Sequence, residues 1–141
     1  MNVEAFTRLR AIMAAVDPNL INMEVWIGGS GCGTTACAVG HASMDPWFRE
    51  SGLTIEKRPM GDSTIIFFSY PQFNGERYMP AVEAFFDIDD GTAKCLFGEE
   101  AYDNSNDGAT IQGEILERID MVLAGISILG LHYGDNNDEE D

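Results

Sequence analysis

The chain has 141 residues, of which 45% are hydrophobic, and its 24 acidic and 8 basic residues give a formal net charge of −16. This length and apolar content predict one domain built on one core. A strongly negative field repels phosphates and anionic lipids, which argues against binding to free nucleic acid or to a membrane surface. No apolar run reaches the roughly 18 residues that a membrane span needs.

The cysteine content and the N-terminal residues bear on the compartment. The chain has 3 cysteines, an odd number that does not favour a disulfide framework and suits a reducing environment. The first eight residues lack the basic and apolar segments of a secretory signal peptide. We therefore expect a cytoplasmic protein.

The first predicted element is an amphipathic helix. Val3, Phe6, Leu9 and Val16 recur at helical spacing. The helix should end before Pro18, because the residue that precedes a proline avoids helical backbone angles. An extended segment then leads into a glycine-rich run.

The centre of the chain is the stretch 32–42, Cys-Gly-Thr-Thr-Ala-Cys-Ala-Val-Gly-His-Ala. Its small, mostly apolar residues favour a helix over 34–42 in the middle of the core, where neighbouring elements can approach closely. A hydroxyl of Thr34 or Thr35 would cap the first turn. The preceding glycines could cradle an anion, but they are not followed by the lysine of a phosphate-binding loop.

The same stretch supplies candidate metal ligands. Cys37 and His41 are four residues apart and would share a helix face, and with Cys32 and Cys95 they could complete a tetrahedral zinc site. Alternatively, Cys32 or Cys37 could be a nucleophile with His41 as its base. The spacing is loose and the neighbours are apolar, so the favoured interpretation is three buried, reduced and inert cysteines with no cofactor.

The pattern Cys-Gly-Thr-x-x-Cys-x-x-Gly-His-Ala, with Trp26 shortly before it, resembles a motif of small uncharacterised phage and bacterial proteins that have Trp or His at the penultimate position. A later segment of those proteins is similar to residues 82–97, so the resemblance covers about half of the chain. It implies a phage-encoded protein that acts in the cytoplasm of a bacterial host. It implies no activity and no catalytic residue.

A short helix and a β-hairpin are predicted next. The segment 45–52 offers an aspartate N-cap, a proline in the first helical position and a terminating glycine. Residues 53–58 alternate in polarity, and residues 64–68 are β-branched or aromatic, with turn-forming residues between the two segments. Residues 20–27 are the candidate for a third strand.

The loop predicted over 70–75 carries Tyr70 and Phe73, which either contact a partner or pack down onto the protein. Helices are predicted over 77–86 and 92–97. A longer helix that ends near Gly130 is indicated by the clearest apolar stripe of the chain. The stripe consists of Ile111, Ile115, Ile119, Val122, Leu123, Ile126 and Leu129.

Together these elements predict an α+β fold. We expect a mostly helical single domain over 1–134, with one antiparallel β-hairpin, or three strands, packed on helices. Residues 135–141 include five acids and no apolar residue, which predicts a flexible acidic tail.

The distribution of charge gives the favoured function. Residues 98–141 hold 12 of the 24 acids but only one base, Arg118. Such a segment attracts basic surfaces and speeds association with them. We therefore predict a non-enzymatic acidic binding protein that inhibits or modulates a host protein, with nucleic-acid mimicry as one form of this function. The alternatives are a small zinc- or thiol-dependent enzyme and a protein that sequesters a small ligand. The predicted partner-binding residues are Glu99, Glu100, Asp103, Asp107, Glu114, Glu117 and Asp120.

Overall fold

A computed structural model of the protein describes residues 1–23, 26–30, 33–62, 67–103 and 105–131. Cys32 and the predicted tail 135–141 lie outside these residues. The helices are α1 (Val3–Ala15), α2 (Ala38–Ser43), α3 (Pro46–Glu50), α4 (Met79–Phe86), α5 (Asp90–Phe97) and α6 (Gly108–Leu123), with short 3₁₀ turns at Pro18–Leu20 and Glu99–Ala101. The strands are β1 (Ile27–Ser30), β2 (Gly33–Ala36), β3 (Thr54–Pro59), β4 (Phe67–Phe73) and β5 (Glu76–Arg77).

The α+β prediction is confirmed. Strands β3, β4 and β5 form an antiparallel sheet in that order, with Thr54 opposite Gln72 and Phe73 opposite Glu76. Helix α4 contacts β4 and β5, which places helices against the sheet as expected. The third strand is β5 rather than residues 20–27, because Leu20 lies in a 3₁₀ turn and Ile27 begins β1, which pairs with β2 instead.

An aromatic cluster joins the helices in the core. Phe86 on α4 lies 4.9 Å from Phe6 on α1 and 5.1 Å from Phe97 on α5, measured between ring centroids. Phe48 on α3 lies 5.5 Å from Phe85. These rings are almost fully buried, so they combine a large area removed from water with tilted ring contacts.

Helix α1 packs along α6. The side chain of Gln112 donates hydrogen bonds to the carbonyl oxygens of Met13, at 2.8 Å, and Val16, at 3.0 Å. These carbonyls belong to the unsatisfied C-terminal end of α1, so the amide of Gln112 takes the place of water there. The predicted first helix, ending before Pro18, is confirmed, and Asn2 caps it by accepting a hydrogen bond from the amide of Ala5.

The central stretch does not form the predicted helix over 34–42. Residues 33–36 are strand β2, and α2 begins only at Ala38, with Cys37 as an N-cap whose side chain makes no capping hydrogen bond. The N-cap position is therefore Cys37 and not residue 34 or 35, where it was predicted. The physical reason is that β-branched residues beside glycines suit a strand that folds back on β1.

The expectation of close packing around this stretch is confirmed at Gly40. A Cβ atom built on Gly40 would lie 1.7 Å from the carbonyl oxygen of Trp26 and 2.7 Å from the Cβ of Ala36. Only glycine allows this approach of α2 to the preceding backbone, since a methyl group would overlap fixed main-chain atoms.

Two other predictions are corrected. Residues 70–73 belong to β4 rather than to a contact loop, with Tyr70 buried and Phe73 packed edge-on against Phe85 at 5.1 Å. Helix α6 ends at Leu123 and not near Gly130, because Gly125 adopts a positive φ of 79° that a right-handed helix cannot contain. Ile126 and Leu129 consequently lie beyond the helix and are exposed.

Gly40→Ala should lower the free energy of unfolding by at least about 2 kcal/mol, because the added methyl group overlaps the Trp26 carbonyl. Urea unfolding followed by circular dichroism measures the change. The matched control is Gly113→Ala in the interior of α6, where nothing lies within 4 Å of the added atom. There the same substitution should raise stability by about 0.5–1 kcal/mol. Equal effects at the two sites would contradict the close approach of α2 to Trp26.

Candidate functional site

The thiol of Cys37 is poorly placed for chemistry. Cys37 is 2% exposed, and burial raises its pKa to about 11, so the reactive thiolate is scarce at neutral pH. Its sulfur lies 3.9 Å from the carbonyl oxygen of Trp26, which can accept a weak S–H hydrogen bond. This environment resembles that of a core side chain rather than that of an activated nucleophile.

His41 serves a structural role. Its Nε2 lies 2.8 Å from the carbonyl oxygen of Leu20 and donates to it, which ties α2 to the 3₁₀ turn after α1. Burial lowers the pKa of His41, and hydrogen bonds to the backbone of Leu20 and Ala36 only partly oppose this effect. The imidazole is therefore neutral at pH 7.

The predicted zinc ligands are not assembled by the residues that the structure describes. Cys95 lies buried on α5, and both it and Cys37 are free thiols. Within the described ranges, no group of three or more His, Cys, Asp or Glu side chains is placed to hold a metal ion. Cys32 falls outside those ranges, so its part in the zinc hypothesis stays a prediction.

The negative charge is concentrated on one set of helices. Residues 83–120 hold 11 acids and two bases, Lys94 and Arg118, for a net charge of −9. The other residues that the structure describes hold 7 acids and 6 bases, for a net of −1. We call the described residues from the start of α4 to the end of α6, including the turns between the helices, the acidic half of the molecule. These elements contact one another in sequence, since α5 touches α4, the turn and α6.

Two aspartates of the acidic half hold local structure and keep their charge. Asp107 caps α6 by accepting from the amide of Thr110 at 2.8 Å, and Asp103 accepts from the backbone and hydroxyl of Ser105. These hydrogen bonds stabilise the carboxylate and lower the pKa of both aspartates. Because the donors are uncharged, the negative charge is not neutralised.

Asp120 differs from the other predicted acids because a cation neutralises it. Both of its oxygens accept from the guanidinium of Arg10 on α1, at 2.6 and 3.0 Å, and this pairing lowers the pKa of Asp120. Asp120 thus joins α6 to α1. It was predicted as a partner-binding residue, but in the structure its carboxylate forms an ion pair with Arg10.

The remaining predicted acids lie in the 3₁₀ turn and on α6. Glu100 and Glu117 are exposed, and neither forms an ion pair with another described residue. Glu114 is half-buried, and its Oε1 is out of contact with water and has no hydrogen-bond partner in the described part of the chain. The side chain of Glu99 is not among the described ones. The structure therefore brings the predicted acids onto neighbouring elements, with Asp120 set apart on the α1 side.

The structural role of Arg118 could not be predicted from the sequence. Its Nη1 donates to the carbonyl oxygens of Cys95, at 2.8 Å, and Ala101, at 2.9 Å, and its guanidinium lies 4.2 Å from the ring centre of Tyr102. The Tyr102 hydroxyl is buried and donates to the carbonyl of Leu96 at 2.8 Å. The one base of residues 98–141 therefore fastens α6 to the end of α5.

The acidic half also includes acids that lie before residue 98. Glu83 on α4 lies close to Asp90 on α5; partial burial and a hydrogen bond to the Asp90 carboxyl raise the pKa of Glu83. Glu83, Asp90, Asp87 and Asp89 together place negative charge of the acidic half at the α4–α5 junction. A charge count that began at residue 83 rather than at 98 would have found them.

Comparisons with models of protein families, with curated proteins and with solved structures give no match for this chain. Among the helices of the described ranges, none combines the length and the apolar character that crossing a bilayer would require.

Cys37 and Cys95 should react with a thiol reagent such as an aromatic disulfide only on the timescale of unfolding, because both side chains are buried. Mass spectrometry of the labelled peptides at pH 8, with and without urea, measures each cysteine separately. Rapid labelling of Cys37 in the native protein would contradict its inert role and support the thiol-dependent alternative.

Acidification should destabilise the protein through His41. Its folded pKa is lowered, so its contribution is complete above the unfolded pKa of about 6.5 and declines as the pH falls below that value. His41→Gln keeps a donor for the Leu20 carbonyl without titrating. The free energy of unfolding of the unsubstituted chain, measured in urea, should therefore fall relative to that of H41Q between about pH 7.5 and 5.5. A difference that does not change with pH would contradict this assignment.

Proposed function

We propose that this protein is a non-enzymatic acidic binding protein that inhibits or modulates a partner protein by occupying a basic surface of that partner. The observation that carries the proposal is the net charge of −9 on the acidic half, against −1 on the other described residues. A charge that served solubility alone would not need to be concentrated in this way.

The state of the two bases supports the proposal. Lys94 lies 3.2 Å from Asp90 in an exposed ion pair one helical turn away, and Arg118 is directed at backbone carbonyls and at Tyr102. Neither base compensates Glu100, Asp103, Asp107 or Glu117. These four carboxylates therefore keep their negative charge and can attract an approaching cation.

The proposed mechanism of partner recognition is electrostatic steering. A one-signed surface accelerates encounter with a surface of opposite charge and discriminates against acidic proteins. Where the partner's basic surface normally binds phosphates, the carboxylates would take the positions of those phosphates, which is nucleic-acid mimicry. If the chain is phage-encoded, as its resemblance implies, the partner would be a protein of the bacterial host.

The proposal predicts that binding depends on the acids of the acidic half rather than on total charge. A triple variant, Glu100→Gln, Asp107→Asn and Glu117→Gln, should weaken partner binding by at least about tenfold, because three uncompensated charges are removed. Asparagine keeps the capping ability at position 107. The measurement is affinity capture from a bacterial lysate at low and high salt, followed by titration of the retained protein.

The matched control removes three exposed acids from the rest of the molecule: Glu50→Gln, Asp62→Asn and Glu76→Gln. Both variants have the same net charge, so a general charge effect would weaken binding equally. The proposal would be contradicted if both variants weakened binding equally or if salt did not affect binding. Retention of an acidic protein would do so as well.

A further inference from the structure

A shallow groove of about 390 Å³ lies where the α4–α5 junction meets the segment after α6. Its apolar lining includes Ile88, Val122, Ile126, Ile128 and Leu129, and Asp87, Asp89 and Met1 line it as well. The groove borders the acidic half at the α4–α5 junction, and its lining includes none of the predicted partner-binding acids. We call it the junction groove.

The junction groove presents large apolar side chains to solvent. Ile126 is 54% exposed and Leu129 is 58% exposed, whereas Ile128 between them is 1% exposed and anchors the segment in the core. Most large apolar side chains of the described residues are buried, so two such neighbours in one groove are a candidate contact surface.

The segment that presents these side chains is held in place. The amide of Ile126 donates to the carbonyl of Met121 at 2.8 Å, and the amide of Leu131 donates to that of Ile128 at 3.0 Å. The Leu129 side chain lies over Gly91, where an added Cβ atom would come within 2.6 Å of its Cδ2 atom. An apolar surface that is already ordered costs less conformational entropy to bind.

The charges around the junction groove identify the chemistry of its occupant. The groove is lined by two carboxylates and by no lysine or arginine side chain. The Met1 ammonium group lies 2.7 Å from Asp87, so Asp89 is the uncompensated charge of the lining. Glu83 and Asp90 lie just beyond it, with Lys94 paired to Asp90. An apolar group flanked by positive charge fits this surface.

We propose that the junction groove receives an apolar side chain of the basic partner, from a segment in which lysines or arginines flank that side chain. This inference rests on the proposed function and adds an apolar anchor to it. A second copy of the chain is a poor occupant, because each copy carries a net charge of −16 and like charges repel.

The experiment compares two synthetic peptides with the same number of lysines, one with leucines at helical spacing and one with serines in their place. Each is titrated into the full chain by fluorescence anisotropy. The leucine peptide should bind at least about tenfold more tightly, since it alone can fill the groove. The variant Ile126→Ser, Leu129→Ser should abolish this difference and change the affinity for the serine peptide by less than about twofold.

The control variant Met44→Ser, Met60→Ser removes two exposed apolar side chains far along the chain from the groove, 40% and 51% exposed. It should keep the tenfold preference, and circular dichroism should show that both variants fold.

Equal binding of the two peptides, or a preference that I126S/L129S retains, overturns the assignment of the junction groove as a binding site and leaves the proposed function standing. No binding of either peptide at low salt overturns both. Self-association that I126S/L129S abolishes would make a second copy the occupant and overturn the assignment.

Discussion

A partly buried cation, the guanidinium of Arg118, joins two helices of the acidic half. Arg118 gives its hydrogen bonds to the carbonyls of Cys95 and Ala101 and stacks on Tyr102. Cys95 lies in the last turn of α5, where free carbonyls carry partial negative charge. The guanidinium thus stabilises the join between α5 and α6 without neutralising a carboxylate. The fold and the exposed negative charge are compatible because Arg118 is directed at backbone carbonyls and an aromatic ring rather than at a carboxylate.

The sequence predicted the helices well where the apolar periodicity agreed with the positions of capping residues and prolines. Helices α1 and α3 lie close to where their patterns predicted them, since capping residues and prolines mark their ends. The stretch 34–42 was misassigned, because small residues carry little hydrophobic period and its threonines favour a strand. The end of α6 was missed for a different reason. The apolar stripe continues past Gly125, and periodicity alone cannot show that one glycine turns the chain.

The sequence could predict the negative charge of the candidate site, but it could not predict which acidic side chains are free to contact a partner. Net charge is additive along the chain, so its sign and its concentration toward the C-terminus could be read from composition. The availability of each acid depends on contacts between distant residues. Asp120 meets Arg10 across 110 positions, and Glu83 meets Asp90 across a helix junction. Neither pairing has a local signature, and the junction groove exists only because α6 stops early.

The order of the three-stranded sheet has a consequence for the way in which partners can attach. Strand β3 is at an outer edge, and an unprotected edge invites another chain to add a strand through its main chain. In this protein β3 carries Glu56, Lys57 and Arg58 in succession and ends at Pro59, and consecutive charges with a terminal proline discourage such pairing. The charges and the terminal proline of β3 therefore disfavour the addition of a strand at this edge of the sheet.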